Sequence, residues 1–209
     1  MSLAAAIDQV RHAADSLVES SALPLPVQGL EAVIAGVSAA LPEGAWWVPG
    51  PRERSGAVLL DLPIDRLEGA LDGAAPYRIA PVSTAPALRA LHAVGLAHAT
   101  GKHAAVHLGA GSVADGAFAE ALNLAALLGA KAVFVVAEHP LDGDAPLGPQ
   151  SAAGTTALAQ AHGLEVFPAN GNDAASVREA VTAAADIGGP AVVVATLAPD
   201  QPITSGDPQ

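Results

Sequence analysis

The sequence predicts an α/β protein with a parallel central sheet and helices on both faces. Two observations carry this reading. From residue 104 onward, short apolar runs alternate with longer segments of helical spacing, in the order β-α-β-α-β-α-β. Those runs are nearly unbroken rather than alternately polar, as strands buried on both faces are.

The elements follow in order. Residues 4–20 place Ile7, Val10, Ala14 and Val18 at helical spacing, and Pro24 and Pro26 close that segment. A second helix is expected over 28–41, stopped by Pro42, Glu43 and Gly44. Residues 46–52, with Trp46, Trp47 and three Pro or Gly residues, read as an irregular loop. Pro63 opens a short helix to Leu71, residues 74–85 form a Pro-rich connection, and an apolar helix runs over 86–100. Strands are then expected at 104–108, 132–137, 164–167 and 191–197, with helices at 115–128, 150–162 and 173–185 between them. The last dozen residues read as a surface loop. The expected organisation is one domain over 1–209: a helical and loop segment to residue 85, the parallel core over 86–197, and the loop 198–209.

Composition narrows the function. The chain has 209 residues, 51% of them hydrophobic, 14% charged and 3% aromatic, and roughly a quarter are alanine. That is too apolar for a disordered chain. Nine basic against 21 acidic residues give a net charge of −12, which argues against a nucleic-acid surface. The absence of cysteine excludes disulfides and thiolate metal sites. No apolar run reaches the roughly 18 residues of a membrane span. No basic segment precedes an apolar run at the start, so the cytoplasm is the expected location.

Small molecules bind open α/β sheets beyond the carboxyl ends of the strands. The first core strand ends in Gly109-Ala110-Gly111-Ser112, followed by Asp115 and a helix. Glycines there let backbone N–H groups approach a phosphate, although a tight turn alone explains the pattern as well. Either Ser112 or Asp115 can cap the helix.

The wider run is more specific. It contains Glu120-Ala121-Leu122-Asn123-Leu124-Ala125-Ala126-Leu127 and the strand Val133-Phe134-Val135-Val136. Residues 108–139 resemble the thiamine-diphosphate motif of the alpha subunit of the 2-oxo acid dehydrogenase decarboxylating component, of the pyruvate, branched-chain and acetoin types. Gln28-Gly29-Leu30-Glu31-Ala32, Leu91-His92-Ala93-Val94-Gly95, Gly171-Asn172-Asp173 and Thr204-Ser205-Gly206-Asp207-Pro208 are similar to further motifs of that family, in its order. The resemblance implies a thiamine-diphosphate-binding-type fold. It also implies a cofactor site at Gly109, Ala110, Gly111, Ser112, His139 and Arg52, Mg²⁺ ligands at the positions of Ala110 and His139, and either a homodimer or a beta-like partner subunit.

The departures from the family pattern are chemical. Ala110 stands where the family has an Asp ligand, and His139 where it has an Asn. Mg²⁺ wants six oxygen ligands, alanine offers none, and imidazole suits other metals. Glu138, beside it, sets a negative charge near the diphosphate position. The family's C-terminal His falls on Pro202 and its Arg on Ala198, and Pro51 replaces the Tyr of its Tyr-Arg pair. The expectation is a degenerate, non-catalytic or partner-dependent subunit without thiamine diphosphate or Mg²⁺. Its rivals are an active subunit completed by a beta-like partner and a small-ligand binding module.

Other clusters have bland readings. His139, Glu138, Asp142 and Asp144 read as an exposed acidic turn before they read as a metal site. His103 and His107 share a strand face, and a strand-end residue and a packed histidine are the expected roles. His92 is expected to be structural, and Trp46 and Trp47 to line a partner interface.

Overall fold

The alternation of buried runs and helices folds as expected into one parallel sheet between two helical layers. The computed structural model describes residues 1–20, 29–68, 71–72, 74–139, 141–142, 145–146 and 151–206. Five parallel strands form the sheet: β1 (Trp46–Val48), β2 (Ala104–Gly109), β3 (Ala132–Glu138), β6 (Glu165–Asn170) and β7 (Ala191–Thr196). Their order is β1-β2-β3-β7-β6. A small antiparallel pair, β4 (Leu141–Asp142) and β5 (Ala145–Pro146), follows β3.

The α-helices are α1 (Leu3–Glu19), α2 (Glu31–Ala40), α3 (Pro86–Thr100), α4 (Gly116–Leu128), α5 (Gly154–Ala161) and α6 (Ala174–Asp186). Connections through α3, α4 and α5 step across the sheet in one direction, and the one through α6 steps back. With one crossover hand, α6 must lie on the opposite face. The core agrees. Val106, Leu108, Phe134, Val136, Val192 and Val194 pack toward α3, α4 and α5. Ala105, Val133, Val135 and Val193 pack toward α1, α2 and α6. This period-two division of each strand places the core on both faces of the sheet.

Three expectations need correction. Residues 46–52 begin with a strand, because Trp46, Trp47 and Val48 pair with Ala104, Ala105 and Val106. Aromatic and β-branched side chains suit a buried strand, and the Pro49-Gly50-Pro51 run limits it to three residues. The helix expected from Pro63 to Leu71 is a single 3₁₀ turn, Ile64–Arg66. A longer 3₁₀ helix, Glu53–Leu60, was not expected at all. Lastly, β6 continues past residue 167 through Pro168 to Asn170. It is an edge strand, where proline removes no needed ladder bond.

The C-terminal loop is tied down rather than loose. Asn172, buried, donates from Nδ2 to the carbonyls of Ala198 and Gln201, both at 3.1 Å, and its Oδ1 accepts from the Ala198 N–H at 2.7 Å. Thr204 bridges to Asp173 in parallel fashion. Gln28, at the expected start of the second helix, and Asp207-Pro208 lie outside the described residues.

Candidate functional site

All five parallel strands end on one edge of the sheet, so the register decides what meets there. Gly109 pairs with Ala137, Glu138 with Thr196, and Asn170 with Thr196. The strand ends therefore carry Pro49 to Arg52, Gly109 to Ser112, Glu138 and His139, and Asn170 to Asn172 along one line. After β1 the chain turns to the face of α1 and α2, where Ala57 is buried. After β2 it turns to the other face as α4. Such a divergence opens a crevice at the strand ends, the usual ligand position in open α/β sheets.

The glycine turn forms a 3₁₀ helix, Ala110–Ala114, ahead of α4. Gly109 and Gly111 are exposed, Ala110 is half-buried and Ser112 is buried. Among the described residues, chain neighbours aside, no atom comes within 4 Å of a β-carbon placed at Gly109 or Gly111, so neither glycine is packed against another part of the described chain. Of the two candidate caps, Asp115 is used: its Oδ1 accepts from the Ala117 N–H at 2.9 Å. An anionic side chain thus already occupies the positive end of α4.

The end of β3 is engaged within the chain. Glu138 Oε1 accepts from the Thr155 hydroxyl at 2.7 Å, and its carbonyl accepts from the Leu197 N–H at 2.9 Å. His139 lies against Gly29, with Nε2 3.8 Å from the β-carbon position there. Gly29 in turn donates to Glu31 Oε2 at 2.8 Å, and Arg11 Nε donates to Glu31 Oε1 at 3.4 Å. Arg52 follows β1 at the same edge and is exposed. Among the described residues no group of three or more His, Asp or Glu is placed to hold a metal ion. Asp144 lies outside the described residues, and only the backbone of Asp142 is described.

Sequence reasoning missed a second cluster, beneath the end of β1. Glu53, Arg54, Arg89 and His107 are all buried. Arg89 Nη1 donates to the Ser83 carbonyl at 2.9 Å and Nη2 to the His107 carbonyl at 3.1 Å. Gly50 permits this: a β-carbon there would stand 2.7 Å from Arg89 Nη2 and would collide with the Glu53 carboxylate. Burial lowers the Arg89 pKa, and Glu53 partly restores it. Burial also lowers the His107 pKa to about 4, against a smaller upward pull from Glu53 and with a further lowering from Arg89. His107 is therefore neutral at pH 7 and meets the Trp47 ring edge-on at 5.5 Å. It is the packed histidine that the sequence suggested, and His103 is a strand-end residue contacting the Ala185 carbonyl at 3.0 Å. Trp47 belongs to the chain's own core at 0% exposure, which corrects its expected place in a partner interface. The sequence signal for this cluster was faint: Arg89 is the one arginine or lysine of α3.

Fold and strand-end crevice together define an open α/β protein with a parallel sheet between two helical layers. The model of the dehydrogenase E1 component family matches residues 77–189, more than half of the chain, and the chain belongs to that family. No curated protein sequence matches it. Among solved structures it is similar to transketolase from Campylobacter jejuni, with a TM-score of 0.73 and 16% identity over 93% of this chain. At that identity the likeness shows the fold. The chain spans 37% of the transketolase chain. The thiamine-diphosphate-binding-type fold expected from the sequence is thus the fold observed.

Proposed function

We propose that this protein is an alpha-subunit-like member of its family that has lost the Mg²⁺ and diphosphate anchor. It serves as a non-catalytic or partner-dependent subunit, and association is its working role. The observation that carries this reading is the donor set at the two strand ends. Position 110 offers a methyl group where a hard cation needs an oxygen. Position 139 offers an imidazole packed toward Gly29. Glu138 is already bonded to Thr155, and Asp115 to its own helix. These residues do not fit a magnesium diphosphate, and no catalytic step is derived through one. The same reading takes residues 1–209 as one domain, since α1 and α2 pack on the core face of the sheet.

One observation favours the rival, an active thiamine-diphosphate-dependent subunit completed by a beta-like partner. Neither Gly109 nor Gly111 in the turn is packed against another part of the described chain. Calorimetry separates the two. Titrating thiamine diphosphate with Mg²⁺ into the protein is expected to give no micromolar binding. Micromolar binding by the unmodified chain contradicts the loss of the anchor.

A further inference from the structure

The chain has three asparagines, Asn123, Asn170 and Asn172, and only Asn170 is followed by glycine. Asparagine loses its amide most readily before glycine, which leaves the next backbone nitrogen unshielded and free to turn. The fold demands this pair. A β-carbon at residue 171 would stand 2.9 Å from Leu197 Cδ2 and 3.0 Å from the Thr196 carbonyl oxygen, so glycine is needed where β6 ends. Asn170 shapes the turn that follows. Its Oδ1 accepts from the Asn172 N–H at 3.0 Å, and its carbonyl accepts from the Asp173 N–H at 3.0 Å.

The electrophile is exposed and the nucleophile is not. Asn170 lies at the surface, whereas Gly171 is buried and its N–H donates to the Thr196 carbonyl at 2.8 Å. The Asn170 N–H is held as well, donating to Ser176 Oγ at 3.0 Å. Asn170 pairs with Thr196 in the extended ladder. Closing a ring between its Cγ and the Gly171 nitrogen requires a ψ far from extended values. The ladder therefore withholds the nucleophile. Yet β6 is an edge strand, bonded to the sheet on one side, and such elements open at less cost than the centre of a sheet.

We infer that Asn170 is a spontaneous deamidation site that the β6–β7 ladder keeps closed, and that its modification unfastens the C-terminal loop. When the ladder opens, the Gly171 nitrogen gives up its proton and bonds to Asn170 Cγ. The side-chain Cγ–N bond breaks, ammonia leaves with that proton, and a succinimide remains. Water opens this ring at either carbonyl. One product is aspartate, which keeps an oxygen for the Asn172 N–H. The other is isoaspartate, whose main chain runs through Cγ and is one atom longer. That atom displaces Gly171 and Asn172 from their present places. Asn172 holds Ala198 and Gln201 through its side chain, so the loop is released. The covalent change makes a passing local opening permanent.

Mass spectrometry of the peptide containing Asn170, with chromatographic separation of the aspartate and isoaspartate forms, follows the reaction. The full chain is incubated in mildly alkaline buffer, folded or in guanidinium. In guanidinium Asn170 is expected to react faster than Asn123, which precedes a bulky leucine. In the folded chain it is expected to react about tenfold slower or more, which corresponds to an opening cost of about 1.4 kcal/mol or more. Equal rates in the two states overturn the closing role of the ladder, and an unreactive Asn170 in guanidinium overturns the site. In the folded isoaspartate fraction, amide exchange at Ala198 is expected to rise severalfold, while Asn170→Asp leaves it as in the parent. Unchanged exchange in the isoaspartate fraction overturns the release of the loop, and equal acceleration in Asn170→Asp overturns the role of the longer backbone.

Discussion

His107 sits on the inner side of β2 with its ring against Trp47, in a position where protonation has no solvent to support it. Its pKa is lowered to about 4 from an ordinary 6.5. Between those values the unfolded chain binds a proton that the folded chain refuses. The neutral ring's contribution is therefore fully present above pH 6.5 and is lost as pH falls toward 4, by about 3 kcal/mol at most. Denaturant titrations from pH 7 to 4 should show this slope, and His107→Phe should flatten it relative to the parent. Parallel curves for the two proteins would contradict the assignment. At this scale the sequence was partly legible. Gly109 to Ser112 and His139 stand at the strand ends because local motif order dictates it. Arg89, Glu53 and Gly50 were not legible, because their meeting depends on a close approach between β1 and α3 that no local pattern encodes.

At the scale of elements, one contact seats α2 against α6 and another ties down the C-terminal loop. A β-carbon at Gly36 would lie 2.7 Å from both the Ala174 carbonyl oxygen and the Val177 Cβ, so α2 can approach α6 this closely only with glycine. Gly36→Ala is expected to destabilise by about 1–3 kcal/mol through overpacking, although alanine is the better helix former. An unchanged or raised melting temperature would count against that packing. Asn172 does similar work for the C-terminal loop. Asn172→Ala removes one acceptor and two donors from the backbone of half-buried Ala198 and exposed Gln201. A loss of about 1–3 kcal/mol follows, with faster amide exchange at Ala198. Exchange that stays as slow as in the parent would show the loop to be held by other contacts. Helices α3, α4 and α6 and strands β2, β3 and β7 were readable from periodicity alone. The three-residue β1 was not, because Trp47 owes its strand geometry to pairing with Ala105 and the bridge to Ile79. The Glu53–Leu60 3₁₀ helix was hidden for a related reason: its buried Ala57 answers to the core beneath it rather than to a repeating pattern.

The whole molecule has the parallel-sheet fold of its family, and polar groups near its strand ends bond within the chain. Glu138 to Thr155, Asp115 to its own helix, and Asn172 to the C-terminal loop are contacts within the chain. No helix among the described residues is long and apolar enough to cross a membrane. The fold was legible because apolar rhythm and motif order extend over most of the chain. The proposed loss of the anchor rests chiefly on residue 110, an alanine in the sequence at the position where the resembled family carries an Asp. The most direct test of the central claim is a calorimetric comparison of the parent with Ala110→Asp/His139→Asn, each titrated with thiamine diphosphate in the presence of Mg²⁺. The account predicts no micromolar binding by the parent and measurable, Mg²⁺-dependent binding once both oxygen ligands are restored. Micromolar, Mg²⁺-dependent binding by the parent itself would contradict it.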